Sequence, residues 1–291
     1  MFTGAMTALV TPFRAGEVDT RALAALVEAQ IAAGIHGLVP CGSTGEAATL
    51  THEEHVAVVR EVVRAARGRV PVIAGAGSNS TAEAIRLTRG AEEAGANGAL
   101  LISPYYNKPT QEGIYRHYAA VAEATRLPLI VYNIPGRTAS NITPETMGRL
   151  SRVRNIVGVK EASGSLAQVI DTIAAAGPDF AVYAGDDILT LPMMAVGGKG
   201  VISVTANVAP REFIELADAL LAGDLERGRG VMHRVLPLVN TLMGLEVNPI
   251  PVKTALALMG KCAEEFRLPL TCMSAPSRAA LEKVLREYDL V

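Results

Sequence analysis

NIVGVKEASGS, residues 155–165, opens as a buried strand and places Lys160 at the end of its apolar run. Arginine could not lose its proton there, whereas a desolvated lysine can. Only the free amine attacks a ketone to form a Schiff base. The chain uses lysine sparingly, at 108, 160, 199, 253, 261 and 283. As a single residue, Lys160 is more simply a structural ion-pair partner of Glu161 or another carboxylate. Tyr132 ends LIVYN; on a neighbouring strand its hydroxyl could relay protons during carbinolamine formation and dehydration, or its ring could just fill the interior.

Other stretches add groups that grip anions. CGSTGE, residues 41–46, sets two glycines and two hydroxyls, Ser43 and Thr44, in one turn whose amides and Oγ atoms suit a carboxylate. Arg137 in IPGRT is either a bidentate clamp for a second carboxylate or half of a surface salt bridge. Tyr105 and Tyr106 are adjacent, so an extended backbone would turn them to opposite sides. The histidines (36, 52, 55, 117, 233) form no HxH or HExxH, although His52 and His55 share a helix face. Cys41, Cys262 and Cys272 lack CxxC or Cys/His spacing. No metal and no disulfide framework is expected, and the cysteines read as free buried thiols.

Short apolar runs alternate with helical patterns and would position these groups. The runs are MTALVTP, HGLVPCG, VPVIAGAG, GALLISP, LPLIVYN, NIVGVKE, FAVYAGD and KGVISVT. They lack polar alternation, as strands covered on both faces do. Helical periodicity fills 20–34, 51–67 and 81–95 between them, with a capping box at Thr51 and Glu54 and Thr81 able to cap the third segment. Eight such units predict an α/β fold, a (β/α)8 TIM barrel over residues 1–225. An open doubly wound sheet is the runner-up, but TPFRAGEVD has no GxGxxG at the first strand-to-helix turn. Residues 226–291 read as helices only, a C-terminal helical extension broken by prolines at VNPIPVK and RLPLTCM. In such a barrel CGSTGE, SPYYNKP, YNIPGRT, KEAS and AGDD converge on one mouth.

With 291 residues, 49% hydrophobic and 19% charged, the chain can bury a large core. Its net charge of -2 offers no basic field for nucleic acid, and no apolar stretch is long enough for a membrane. A small-molecule partner and a cytoplasmic location are expected. No basic, apolar leader opens MFTGAMTALVTPF.

In their order, GAMTALVTPF, CGSTGEAATL, PVIAGAGSN, SPYYNKPTQEG, YNIPGRT, GVKEASG, GVISVTANV and NPIPVK resemble the dihydrodipicolinate synthase (4-hydroxy-tetrahydrodipicolinate synthase) family of pyruvate-dependent class I aldolases. The resemblance spans essentially the whole chain. It implies a lyase of lysine biosynthesis that condenses pyruvate with L-aspartate 4-semialdehyde without metal or organic cofactor. Lys160 matches the Schiff-base lysine, and Tyr132, Ser43 and Tyr106 the proton relay, with Tyr106 reaching across a dimer interface. The family usually has threonine where this chain has Ser43. Thr44 matches a pyruvate-carboxylate contact, Arg137 the clamp for the aldehyde's carboxylate, and Gly185 and Ile202 backbone positions lining the site. Ala48, His52, His55, Asn79, Glu83 and Tyr105 match an L-lysine effector site at the dimer interface, although Ala47 stands where inhibited relatives often carry serine. The common assembly is a homotetramer, a dimer of dimers. Two other readings stay open: an N-acetylneuraminate or keto-deoxy-sugar lyase of the same superfamily, and a non-catalytic barrel that binds a metabolite and regulates a partner. Arg137 speaks against the sugar lyase, since a sugar has less need of a cation there.

Overall fold

The computed structural model describes residues 2–291. Eight parallel strands surround one axis: β1 (Gly4–Ala8), β2 (Gly37–Val39), β3 (Ile73–Gly75), β4 (Gly98–Ile102), β5 (Leu129–Asn133), β6 (Ile156–Glu161), β7 (Ala181–Ala184) and β8 (Gly200–Ser203). Hydrogen-bonded neighbours follow the order β2-β1-β8-β7-β6-β5-β4-β3. The last seam, between β2 and β3, is joined by the bridge Leu38–Val72 and by Leu38 N donating to the Pro71 carbonyl at 3.0 Å. The sheet is thus a nearly closed barrel rather than an open one, and each apolar run holds one strand.

The missing alternation in those runs has a direct cause. Met6, Val39, Ile73, Leu100, Ile130, Tyr132, Tyr183 and Ile202 pack together inside the barrel. The intervening Ala5, Leu38, Ala74, Leu101, Val131, Val159, Val182 and Val201 belong to the larger core between strands and helices. Both faces are dry, so both are apolar.

Eight helices follow the strands in turn: α1 (Thr20–Ala33), α2 (His52–Ala66), α3 (Thr81–Glu93), α4 (Gln111–Glu123), α5 (Pro144–Leu150), α6 (Leu166–Ala176), α7 (Thr190–Ala195) and α8 (Pro210–Leu221). Thr51 and Glu54 form the expected capping box on α2. On α3 the cap is Ser80, whose backbone is extended; Thr81 is already helical, and its hydroxyl pairs with His117 Nδ1 at 3.0 Å instead. The cysteines also depart from expectation: Cys41 is buried, Cys262 half-buried and Cys272 exposed, all as free thiols.

Three further helices close the chain: α9 (Leu225–Gly244), α10 (Ile250–Leu258) and α11 (Ala275–Glu287). The breaks fall at the two proline stretches, although Pro237 lies within α9. A fully buried ion pair ties α10 to the turn after β2, with Lys253 Nζ 2.6 Å from Glu46 Oε1. The Lys253 ammonium also sits 4.0 Å from the centre of the Phe13 ring.

Candidate active site

Tyr132 on β5, Lys160 on β6 and Tyr183 on β7 are register partners across three adjacent strands. Their side chains enter the same barrel interior, because Val131, Val159 and Val182 beside them take the outer face. Lys160 is 5% exposed, and its Nζ lies 4.4 Å from the centre of the Tyr132 ring. Space for this arrangement comes from Gly158. A Cβ there would come 2.5 Å from the Ala181 carbonyl oxygen and 3.1 Å from the Tyr183 ring.

Glu161 is not the partner of Lys160. On the opposite face of β6 it accepts from Asn133 Nδ2 at 3.0 Å and from Ser163 N at 2.7 Å. No carboxylate lies within ion-pair distance of Lys160 among the described residues. Burial therefore lowers its proton affinity to about 8; Asp187 and Asp186 oppose the fall, and Arg137 adds to it. Near neutral pH a useful fraction is free amine, which can attack a carbonyl. Burial acts oppositely on Tyr132, holding its phenol protonated well above the usual range. That phenol therefore keeps its proton near neutral pH and is not a standing base.

The CGSTGE turn is folded tightly on itself, with Gly45 N donating to the Gly42 carbonyl at 3.0 Å and Glu46 N to that of Ser43 at 3.2 Å. It presses on β3 so closely that a Cβ at Gly75 would fall 2.1 Å from the Cys41 oxygen. Thr44 is buried, and its Oγ1 accepts from Asn248 Nδ2 at 3.0 Å. Arg137 is exposed on a single helical turn after β5, and its guanidinium donates to the Asn248 carbonyl at 3.1 Å. No carboxylate pairs with it among the described residues, which removes the surface salt bridge as its explanation. Gly185 is buried beside β6, its amide on the Glu161 carbonyl at 2.8 Å, and Ile202 is fully buried within the barrel.

Ser43 and Tyr132 line a common cavity of about 230 Å³, but their hydroxyls are not hydrogen-bonded to each other. Ala48, His52, His55, Glu83 and Tyr105 line it too, as does Ala47. Asn79 stands behind them, donating to the Tyr105 carbonyl at 3.1 Å. Glu83 is already engaged, by the Ser78 hydroxyl and by His52 Nε2 at 2.7 Å, and both hold its carboxylate below the usual range. His55 is kept neutral by burial, with Nδ1 unpartnered.

Tyr106 does not join this group. It is 89% exposed and has a φ of +73, so the backbone at the tyrosine pair is not extended. Left-handed backbone at an aromatic residue costs on the order of 1 kcal/mol or more, so surrounding structure must impose it. Here Asn107 Nδ2 donates to the Asn79 carbonyl at 3.0 Å and fixes the turn.

Three residues near the site were given no role from the sequence: Asp186, Asp187 and Asn248. The first two stood in view as the strand end AGDD, whereas Asn248 comes from 204 residues beyond its partner Thr44. Among the described residues no group of three or more His, Cys, Asp or Glu could hold a metal ion, and no helix is long and apolar enough to cross a membrane.

The profile of the Dihydrodipicolinate synthetase family matches residues 1–288. A 4-hydroxy-tetrahydrodipicolinate synthase of Syntrophus aciditrophicus is 55% identical over 291 residues, all of both chains. The chain belongs to the dihydrodipicolinate synthetase family. Solved family structures superpose closely. The dihydrodipicolinate synthase of Acinetobacter baumannii complexed with pyruvate gives a TM-score of 0.98 at 44% identity, covering 100% of both chains. That of Cyanidioschyzon merolae with lysine bound gives 0.96 at 41%, covering 100% of this chain and 99% of the other.

Proposed function

We propose that this family member condenses pyruvate with L-aspartate 4-semialdehyde to form 4-hydroxy-tetrahydrodipicolinate, on the diaminopimelate route to L-lysine. The observation that carries the reading is Lys160, a buried amine with no ion-pair partner and a proton affinity lowered to about 8. Its Nζ adds to the C2 carbonyl of pyruvate, water leaves, and an iminium results. Loss of a C3 proton gives the enamine, whose C3 attacks the aldehyde carbon. The amine of the second substrate then displaces Nζ, closing the ring and freeing the lysine. No cofactor enters the balance.

Tyr132 moves the protons of addition and dehydration, with Ser43 linking it to Tyr106 of a neighbouring subunit. Thr44 holds the pyruvate carboxylate and Arg137 that of the aldehyde. Gly185 and Ile202 supply backbone along the site. The exposure and imposed backbone of Tyr106 support a residue that completes another copy's site. The assembly would then be a homotetramer built from such dimers, working in the cytoplasm. Residues 1–225 form the catalytic barrel and residues 226–291 the helical domain over it. The cavity lined by Ala48, His52, His55, Glu83 and Tyr105, with Asn79 behind, would take L-lysine as effector. Two features predict weak inhibition: Ala47 brings no hydroxyl, and Glu83 already has two partners.

Exposed Arg137, free of any carboxylate, favours an acceptor that carries its own carboxylate over a sugar. Purified protein given pyruvate with L-aspartate 4-semialdehyde, and separately with N-acetylmannosamine, is expected to consume pyruvate only with the first. Turnover with the second alone would make it a sugar lyase.

A further inference from the structure

The two carboxylate grips assigned above, Thr44 and Arg137, both lean on one residue of the helical extension. Asn248 lies just before α10 and is 8% exposed. Its side-chain Nδ2 donates to Thr44 Oγ1 at 3.0 Å, and its backbone carbonyl accepts from the Arg137 guanidinium at 3.1 Å. Its Oδ1 is enclosed without a partner among the described residues. Thr44 is 3% exposed, and among the described residues no other group bonds its hydroxyl. The buried pair of Lys253, on α10, with Glu46, two residues beyond Thr44, pins the same two segments together at 2.6 Å. The amide and the hydroxyl therefore meet in a contact that neither segment can leave alone.

A hydroxyl has one proton, and its neighbour decides where that proton goes. An amide N–H donated to Oγ1 occupies a lone pair, so the Thr44 proton stays free to be donated onward and is polarised toward a negative acceptor. With the amide turned over, Oδ1 would take that proton, and the hydroxyl would offer an incoming carboxylate only lone pairs. The orientation in the structure leaves a buried amide oxygen unpaired, which is costly; turning the amide would remove that cost and disable the grip. Arg137 needs no such direction from the side chain. A guanidinium only donates, and its acceptor here is a backbone carbonyl, which every residue type has.

We propose that Asn248 is a positioning residue whose side-chain amide fixes the Thr44 hydroxyl as a donor to the carboxylate of the keto acid, while its backbone carbonyl sets Arg137 whatever the side chain. The role rests on the condensation inferred above, and the readouts separate the two. At pH 8, kcat/KM is measured for pyruvate and for L-aspartate 4-semialdehyde in the native protein, in Asn248→Ala and Asn248→Asp, and in both again on a Thr44→Val background. Asn248→Asp has the same size but only accepts. It should capture the Thr44 proton and lower kcat/KM for pyruvate about 10- to 100-fold, as loss of a charge-assisted hydrogen bond does. Asn248→Ala frees the hydroxyl to turn and should cost less, roughly 3- to 10-fold. For the aldehyde, both losses should stay below about threefold, because the carbonyl at 248 remains; on the Thr44→Val background either substitution should add less than about threefold for pyruvate. Equal losses on both substrates, no loss in Asn248→Asp, or a pyruvate loss that persists in full after Thr44→Val would overturn the role and leave Asn248 as an anchor of α10. A native protein that consumes no pyruvate with the aldehyde would overturn the condensation, and this role with it.

Discussion

Two lysines in this chain are buried, and their surroundings give them opposite tasks. Lys253 has the Glu46 carboxylate at 2.6 Å and the Phe13 ring at 4.0 Å. Burial lowers its proton affinity, but Glu46 opposes that and keeps the charge neutralised in place. Lys160 has only the more distant Asp186 and Asp187, so burial prevails and brings it to about 8. The pH dependence follows with a definite sign. The reactive species is the free amine, the minority form at pH 7. Thus kcat/KM for pyruvate should climb nearly tenfold per pH unit below about 8 and level off above it; a profile flat from pH 6 to 9 would contradict this. Tyr132→Phe should lower kcat by about 100- to 10,000-fold, the range for a lost proton-transfer group, with pyruvate trapping slowed but not abolished. At this scale the sequence marked Lys160 as a lysine at the end of an apolar strand, and the structure shows it buried without an ion-pair partner among the described residues. The sequence was silent on Asp187, because a carboxylate's pairing depends on what folding encloses.

Strand ends carry most of the candidate site, and their inward or outward aim follows from alternation alone. That is why Tyr132 and Lys160 could be expected together and why Glu161, one residue on, takes different partners. The element that could not be foreseen is the link from the helical extension. Asn248, just before α10, holds both Thr44 and Arg137, and the buried Lys253–Glu46 pair pins α10 to the CGSTGE turn. Such a link joins residues about 200 apart in the chain, and no local pattern encodes it. Lys253→Ala should destabilise the protein by about 3–5 kcal/mol, the cost of stranding one charge of a buried pair, read as a lower urea midpoint. Replacing both partners, Glu46→Leu with Lys253→Met, should recover much of that loss. Equal stability of the native protein and Lys253→Ala would show that the pair does not anchor α10. Thr81 marks the limit of local reading from the other side: its type suits a cap, but the adjacent extended residue took the position.

At the scale of the whole molecule, the barrel brings together an amine, hydroxyls and a guanidinium from distant segments. Tyr106 points out of it on an imposed left-handed backbone. Assembly is the one feature of the proposed site that a single chain does not contain. If a neighbouring copy receives this tyrosine, Tyr106→Phe should depress kcat well beyond any change in KM; near-normal kcat would count against a shared site. Millimolar L-lysine should inhibit, weakly, and His52→Ala or Glu83→Ala should abolish the effect without removing turnover. Activity unaffected by lysine in the native protein would leave the 230 Å³ cavity without that role.

The account depends most on one covalent bond between the amine of residue 160 and a keto acid. Reducing the protein with borohydride in the presence of pyruvate and measuring its intact mass tests this directly. A single adduct per chain, mapped to Lys160 and absent from an inactive Lys160→Arg variant, is the predicted result. Lys160 left unmodified in an enzyme that still consumes pyruvate at its full rate would contradict it.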